Sequence, residues 1–140
     1  MMFVTWGKSP LRGYNGAMAK KAFVVDDSLV SLEAVAKMLS LMDVEAVKCP
    51  GPREALERLA KEVPDFMVLD VNMPGVSGLE VLGYIRRDPR TADMPIIVLS
   101  SDSQPIDRER AIAAGANIFL AKPVSFEELE LAINDALGEI

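Results

Sequence analysis

Histidine is absent from the 140-residue chain. That excludes Ser-His-Asp and Cys-His nucleophilic centres, histidine-ligated metals and an imidazole acid or base. Cysteine occurs once, as Cys49, which excludes an intramolecular disulfide framework and a multi-cysteine zinc site. No apolar run approaches the ~18 residues of a membrane-spanning helix. The opening Met1–Trp6 lacks the basic and apolar regions of a secretory leader, so the expected location is the cytoplasm. Chemistry is left to carboxylates, hydroxyls, lysine and a hard cation. Half of the residues are hydrophobic and 26% are charged, a composition that folds around a core. The length suits one domain, with roughly 68–70% of the unfolded surface buried on folding.

Positive charge is scarce and misplaced. The chain holds 15 basic and 21 acidic residues, net −6. Lys8, Arg12, Lys20 and Lys21 sit in the first 21 residues without an acid among them. Setting those four aside leaves 11 basic against 21 acidic, a net −10. Such a body gains nothing from neutralising phosphates, which argues against direct nucleic-acid binding and for protein or metal partners. Residues 1–19, with Gly7-Lys8-Ser9-Pro10 and Gly13-Tyr14-Asn15-Gly16, have loop composition and no periodicity. They read as an extension without assigned function, Met18 being an alternative start, and residues 20–140 as one domain. Its termination soon after a last helix leaves open a stand-alone protein or a domain excised from a longer one.

From Ala22 the pattern is regular. Ala22–Val25 is a short apolar run ending on Asp26-Asp27, as a buried strand with acids at its carboxyl end would. Ser28 can cap a helix carrying Leu32, Val35, Ala36, Leu39 and Met42 at helical spacing. Val44–Lys48 alternates as a second strand, and Arg53–Val63 places Ala55, Leu56, Leu59, Ala60 and Val63 on one helical face. Phe66–Asp70 is a third strand ending in an acid, followed by a helix from Gly78 with Leu79, Leu82 and Ile85 inward. Ile96–Ser100 is a fourth strand, and Ile106–Ala114 a helix stopped by Gly115. Ile118–Ala121 precedes Lys122-Pro123, and Ser125–Leu137 closes the chain with Phe126, Leu129, Ile133 and Leu137 inward. Strict alternation predicts an α/β flavodoxin-like (βα)5 three-layer sandwich, with a five-stranded parallel sheet in the order 2-1-3-4-5.

In such sheets ligands gather at the carboxyl ends of the strands. Asp26, Asp27, Asp70, Ser100 and Lys122 all fall there. Two carboxylates ~5 Å apart repel by roughly 3 kcal/mol at an effective dielectric near 20. A trio therefore calls for a cation, and oxygen-only ligation points to Mg²⁺. Lysine and a hydroxyl beside it suit a phosphoryl group, with an aspartate as nucleophile.

Four segments carry a resemblance: Phe23-Val24-Val25-Asp26-Asp27-Ser28, Val68–Gly78 with Asp70 and Met73-Pro74-Gly75, Pro95–Ser100, and Gly115–Pro123 with Lys122-Pro123. In this order they resemble the receiver domains of two-component response regulators, of the single-domain chemotaxis-regulator type, over residues 20–140. The resemblance implies that Asp70 accepts a phosphoryl group from a histidine kinase or histidine phosphotransfer protein. It implies Mg²⁺ (or Mn²⁺) held by Asp26, Asp27, Asp70 and the main-chain carbonyl of Asn72. Lys122 would pair with Asp70 and then with the phosphoryl group, Ser100 would swing to that group, and Phe119 would be the aromatic switch residue. The Lys122-Pro123 bond would be cis.

The same resemblance implies a protein target docking on the face of helix four, strand five and helix five. No turnover of outside substrates is expected. Ser100 stands where threonine is commoner and Phe119 lacks a phenol. Asn72 and Asp102 occupy positions that tune water access in the family. An aspartyl-phosphate phosphatase would want an acid at Asn72, and a flavin carrier a small-residue phosphate loop where Asp26-Asp27 stands. A receiver-like module working without phosphorylation is the remaining alternative. Cys49 reads as an inert small hydrophobe, and Arg86, Arg87 and Arg90 as a solvated helix end.

Overall fold

The computed structural model describes residues 19–138. The extension read over residues 1–19, Trp6, Tyr14 and Met18 included, lies outside them apart from Ala19. Five longer strands alternate with five helices: β1 Lys21–Val25, α1 Leu29–Leu41, β2 Glu45–Cys49, α2 Pro52–Leu59, β3 Phe66–Asp70, α3 Gly78–Arg87, β4 Ile96–Ser100, α4 Pro105–Ala114, β5 Ile118–Ala121 and α5 Phe126–Leu137. A small antiparallel hairpin, Asn72–Met73 with Val76–Ser77, links β3 to α3. The sheet order is β2-β1-β3-β4-β5 with every neighbour parallel, the flavodoxin-like arrangement that the alternation predicts.

Strand alternation sorts the core into two layers. Ala22, Val24, Phe66, Val68, Ile97 and Leu99 pack with Leu32, Val35 and Leu39 of α1 and Leu129 and Ile133 of α5. Their neighbours Phe23, Val25, Met67, Leu69, Ile96 and Val98 pack with Ala55 and Leu59 of α2, Leu82 and Ile85 of α3 and Ala111 of α4. Strands β3 and β4 are buried along their whole length, as central parallel strands covered on both faces must be.

The helix ends follow local chemistry. Ser28, Ser77 and Ser125 cap α1, α3 and α5 by accepting from the third residue onward, and Glu128 returns a bond to the Ser125 N–H, closing a capping box. Asp43 takes a left-handed φ of 62° after α1. There the Val44 N–H reaches Leu39 and the Asp43 N–H reaches Ser40, a Schellman ending.

Several boundaries differ from the sequence reading by a residue or more, and two of the differences have a clear local cause. α2 stops at Leu59 rather than Val63, and Ala60 and Val63 are exposed. Val63 precedes Pro64, whose ring disfavours helical backbone there, and Lys61 N–H already tightens back onto Arg58. The second strand runs one residue later than Val44–Lys48, because the Val44 amide is spent on the α1 ending.

Candidate functional site

Asp26 and Asp70 continue the alternation of Ala22-Val24 and Phe66-Val68, so both fall on the α1/α5 side of the sheet as β1 and β3 end. Lys122 continues the alternation of Ile118 and Leu120 on the same side. Its Nζ lies 3.1 Å from Asp26 Oδ2 and 3.4 Å from Asp70 Oδ1. Asp26 and Asp70 are each only 2% exposed, while Asp27 is exposed. One oxygen from each of Asp26, Asp27 and Asp70 lies within 4.8 Å of the others. Three acids thus face one ammonium, which leaves negative charge to be balanced.

The two buried acids differ in their hydrogen bonds. Burial works against the charge of Asp26, but the Ser31 side chain, the Ser28 N–H at 2.9 Å and Lys122 outweigh it and hold its pKa below the usual carboxylate range. For Asp70 burial prevails, reinforced by the neighbouring Asp26, over the Asn72 N–H at 3.1 Å and Lys122, and its pKa is raised. Burial and the Asp26 carboxylate therefore disfavour charge at Asp70. A hard cation bound among these oxygens would reverse that, and the donor set fits Mg²⁺ or Mn²⁺.

Ser100 belongs to the other alternation, with Ile96 and Val98. It is 2% exposed and its hydroxyl points at Asn72 Oδ1, 2.9 Å away, rather than at Asp70. Phe119, also on that side, is 3% exposed, and the Arg108 guanidinium sits 5.2 Å from its ring centroid. A cavity of about 180 Å³ lies beside them, lined among others by Asn72, Ser100, Asp102, Arg110 and Phe119. The structure thus gathers Asp26, Asp27, Asp70 and Lys122 into one cluster and sets Ser100 and Phe119 behind its edge. The Lys122-Pro123 peptide bond is cis.

The model of the response regulator receiver domain matches residues 22–134. The chain belongs to that family. Receivers of known structure superpose closely. Chemotaxis response regulator CheY4 of Vibrio cholerae has a TM-score of 0.79 at 30% identity, covering 84% of this chain and 98% of CheY4. The phosphate regulon transcriptional regulatory protein PhoB of Escherichia coli is 29% identical over 123 residues, 88% of this chain and 54% of PhoB. The chain spans about half the length of that relative. The polar-differentiation response regulator DivK of Brucella ovis is 25% identical over 122 residues, covering 87% of this chain and 99% of DivK. No described helix of this receiver is long and apolar enough to cross a membrane.

Two residues of the receiver do more than the sequence reading foresaw. Arg86, read as part of a solvated helix end, is half-buried and donates to Gly115 O, Thr91 O and Asn117 Oδ1 at 2.9–3.0 Å. Gly115 is the reason it fits: at φ 119° a Cβ there would lie 2.7 Å from Arg86 Cγ. Asn72, noted for its main-chain carbonyl and, with Asp102, for water access, engages by its side chain four atoms of Ser100, Ser101 and Asp102, a bonding pattern the sequence did not show. No periodicity marks either role, since both are long-range bonds made by one side chain.

Proposed function

We propose that Asp70 is the phosphoacceptor of this receiver. The reading is carried by the cluster of Asp26, Asp27 and Asp70 oxygens within 4.8 Å, with Lys122 reaching both buried acids. An ionised Asp70 oxygen attacks the phosphorus of a phosphohistidine on a kinase or phosphotransfer protein. A P–O bond forms as the P–N bond breaks, and the nitrogen keeps the electron pair. Asp26, Asp27, Asp70 and the Asn72 main-chain carbonyl would hold Mg²⁺ or Mn²⁺, which supplies charge neutralisation to the incoming phosphoryl oxygens. Lys122 Nζ, already within reach of Asp70, moves its charge to the same group. Ser100 supplies a hydroxyl to it, and Phe119 packs behind that hydroxyl.

The added charge then biases a two-state equilibrium, which α4, β5 and α5 present to a protein target. Exposed Ile106, Ile112 and Leu131 on α4 and α5 suit such docking. The net acidic charge of the chain supports a protein target rather than nucleic acid, and this reading places its action in the cytoplasm. The chemistry is self-phosphorylation and self-dephosphorylation, without turnover of outside substrates. Incubation with acetyl phosphate and Mg²⁺ should add one phosphoryl group by intact mass, lost in Asp70→Asn and with chelator. Label persisting in Asp70→Asn would place the acceptor elsewhere.

A further inference from the structure

The Asn72 side chain is held in one orientation by groups that cannot exchange roles. The Ser101 N–H, which can only donate, reaches Asn72 Oδ1 at 2.7 Å. The Asp102 carboxylate, which can only accept, lies 3.1 Å from Asn72 Nδ2. The carbonyl therefore faces Ser100 and Ser101, and the amide nitrogen faces Asp102.

That orientation fixes the proton of Ser100. Its Oγ accepts from the Asp102 N–H at 3.0 Å and lies 2.9 Å from Asn72 Oδ1. Asn72 Oδ1 has no proton to give, so the Ser100 hydroxyl must donate to it. A serine hydroxyl has one proton, and here it is committed. Ser101 Oγ adds a longer contact of 3.2 Å to the same oxygen. One carboxamide thus ties down Ser100, Ser101 and Asp102, the whole start of the β4–α4 loop.

We infer that the Asn72 carboxamide is a latch that opposes activation, holding the Ser100 hydroxyl and its loop off the phosphoryl position. Engagement exchanges one hydrogen bond for another: Ser100 Oγ–H leaves Asn72 Oδ1 and donates to a phosphoryl oxygen on Asp70. Phe119 need not rotate for this step, since it is already buried beneath Arg108. The adjoining cavity of about 180 Å³ gives the loop room to shift. Asn72 acts through Ser100 and is a positioning residue. The inference rests on the reading of Asp70 as the phosphoacceptor.

The test uses beryllofluoride as the phosphoryl stand-in, at saturating Mg²⁺, with affinity read from backbone amide resonances. This readout does not depend on how fast an acyl phosphate hydrolyses. Asn72→Ala should bind beryllofluoride about 3- to 10-fold more tightly, the worth of one neutral hydrogen bond no longer broken. In a Ser100→Ala background the same substitution should change affinity less than twofold, a non-additivity that a purely structural role would not produce. Unchanged or weaker binding by Asn72→Ala, or an equal gain with and without Ser100, overturns the latch. Binding by Asp70→Asn equal to that of the unaltered chain would instead overturn the phosphoacceptor reading.

Discussion

Asp70 carries a charge that its own surroundings resist, because burial and Asp26 raise its pKa. An acid whose folded pKa lies above the unfolded value destabilises the fold once ionised. Asp70→Asn should therefore melt at a higher temperature than the unaltered chain in chelator at neutral pH, while losing phosphorylation; a lower melting temperature would contradict this. Cys49 offers a second titration, since burial pushes its thiol up to about 11 from 9.0. Between those pH values the unfolded thiol ionises and the folded one does not. Stability then falls as pH rises, by up to ~1.4 kcal/mol per pH unit. Denaturant titrations at pH 9 and 11 should show the unaltered chain losing more than Cys49→Ala. The acids and Lys122 were legible in the sequence because each ends a recognisable strand. The partners of Asn72 were not, since Ser100–Asp102 lie about thirty positions away and the bonds follow no period.

At the scale of elements, strands and helices were legible where apolar residues repeat, and their ends were not. α2 lost its last turn to Pro64, which acts through backbone sterics rather than hydropathy. Arg86 shows the other blind spot, a charged residue at a helix end that is spent on carbonyls of two loops. Arg86→Ala should destabilise by about 1–3 kcal/mol in denaturant melts, leaving Gly115 O and Thr91 O short of a donor. Gly115→Ala should cost about 1–3 kcal/mol on backbone conformation alone, with the Arg86 contact added. Because both changes disturb one junction of α3, α4 and β5, their combined effect should fall short of the sum. Full additivity would mean that the two act separately. Gly78 serves the opposite end of α3, where a Cβ would overlap Val71 Cα.

For the molecule as a whole, the parallel order was legible because strict strand–helix alternation leaves few connections open. Which helices share a face was not read from the sequence; the structure puts α1 and α5 on one core layer and α2, α3 and α4 on the other. Metal binding should report on the intact fold, because the rim exists only when β1 and β3 lie side by side. Mg²⁺ at about 100 times its dissociation constant should add ~2.7 kcal/mol of stability, removable by chelator and absent in Asp26→Asn. A melt insensitive to Mg²⁺ would speak against the cluster as a cation site. The two layers also share the site between them. Asp26, Asp70 and Lys122 extend the layer beneath α1 and α5, whereas Ser100 and Phe119 extend the layer beneath α2, α3 and α4. Asn72, just after β3, joins them through its bond with Ser100 at the end of β4. Substitutions on the exposed faces of α4 and α5, where Ile106, Ile112 and Leu131 stand, can redirect the domain to a new audience while the buried acids of the rim stay as they are.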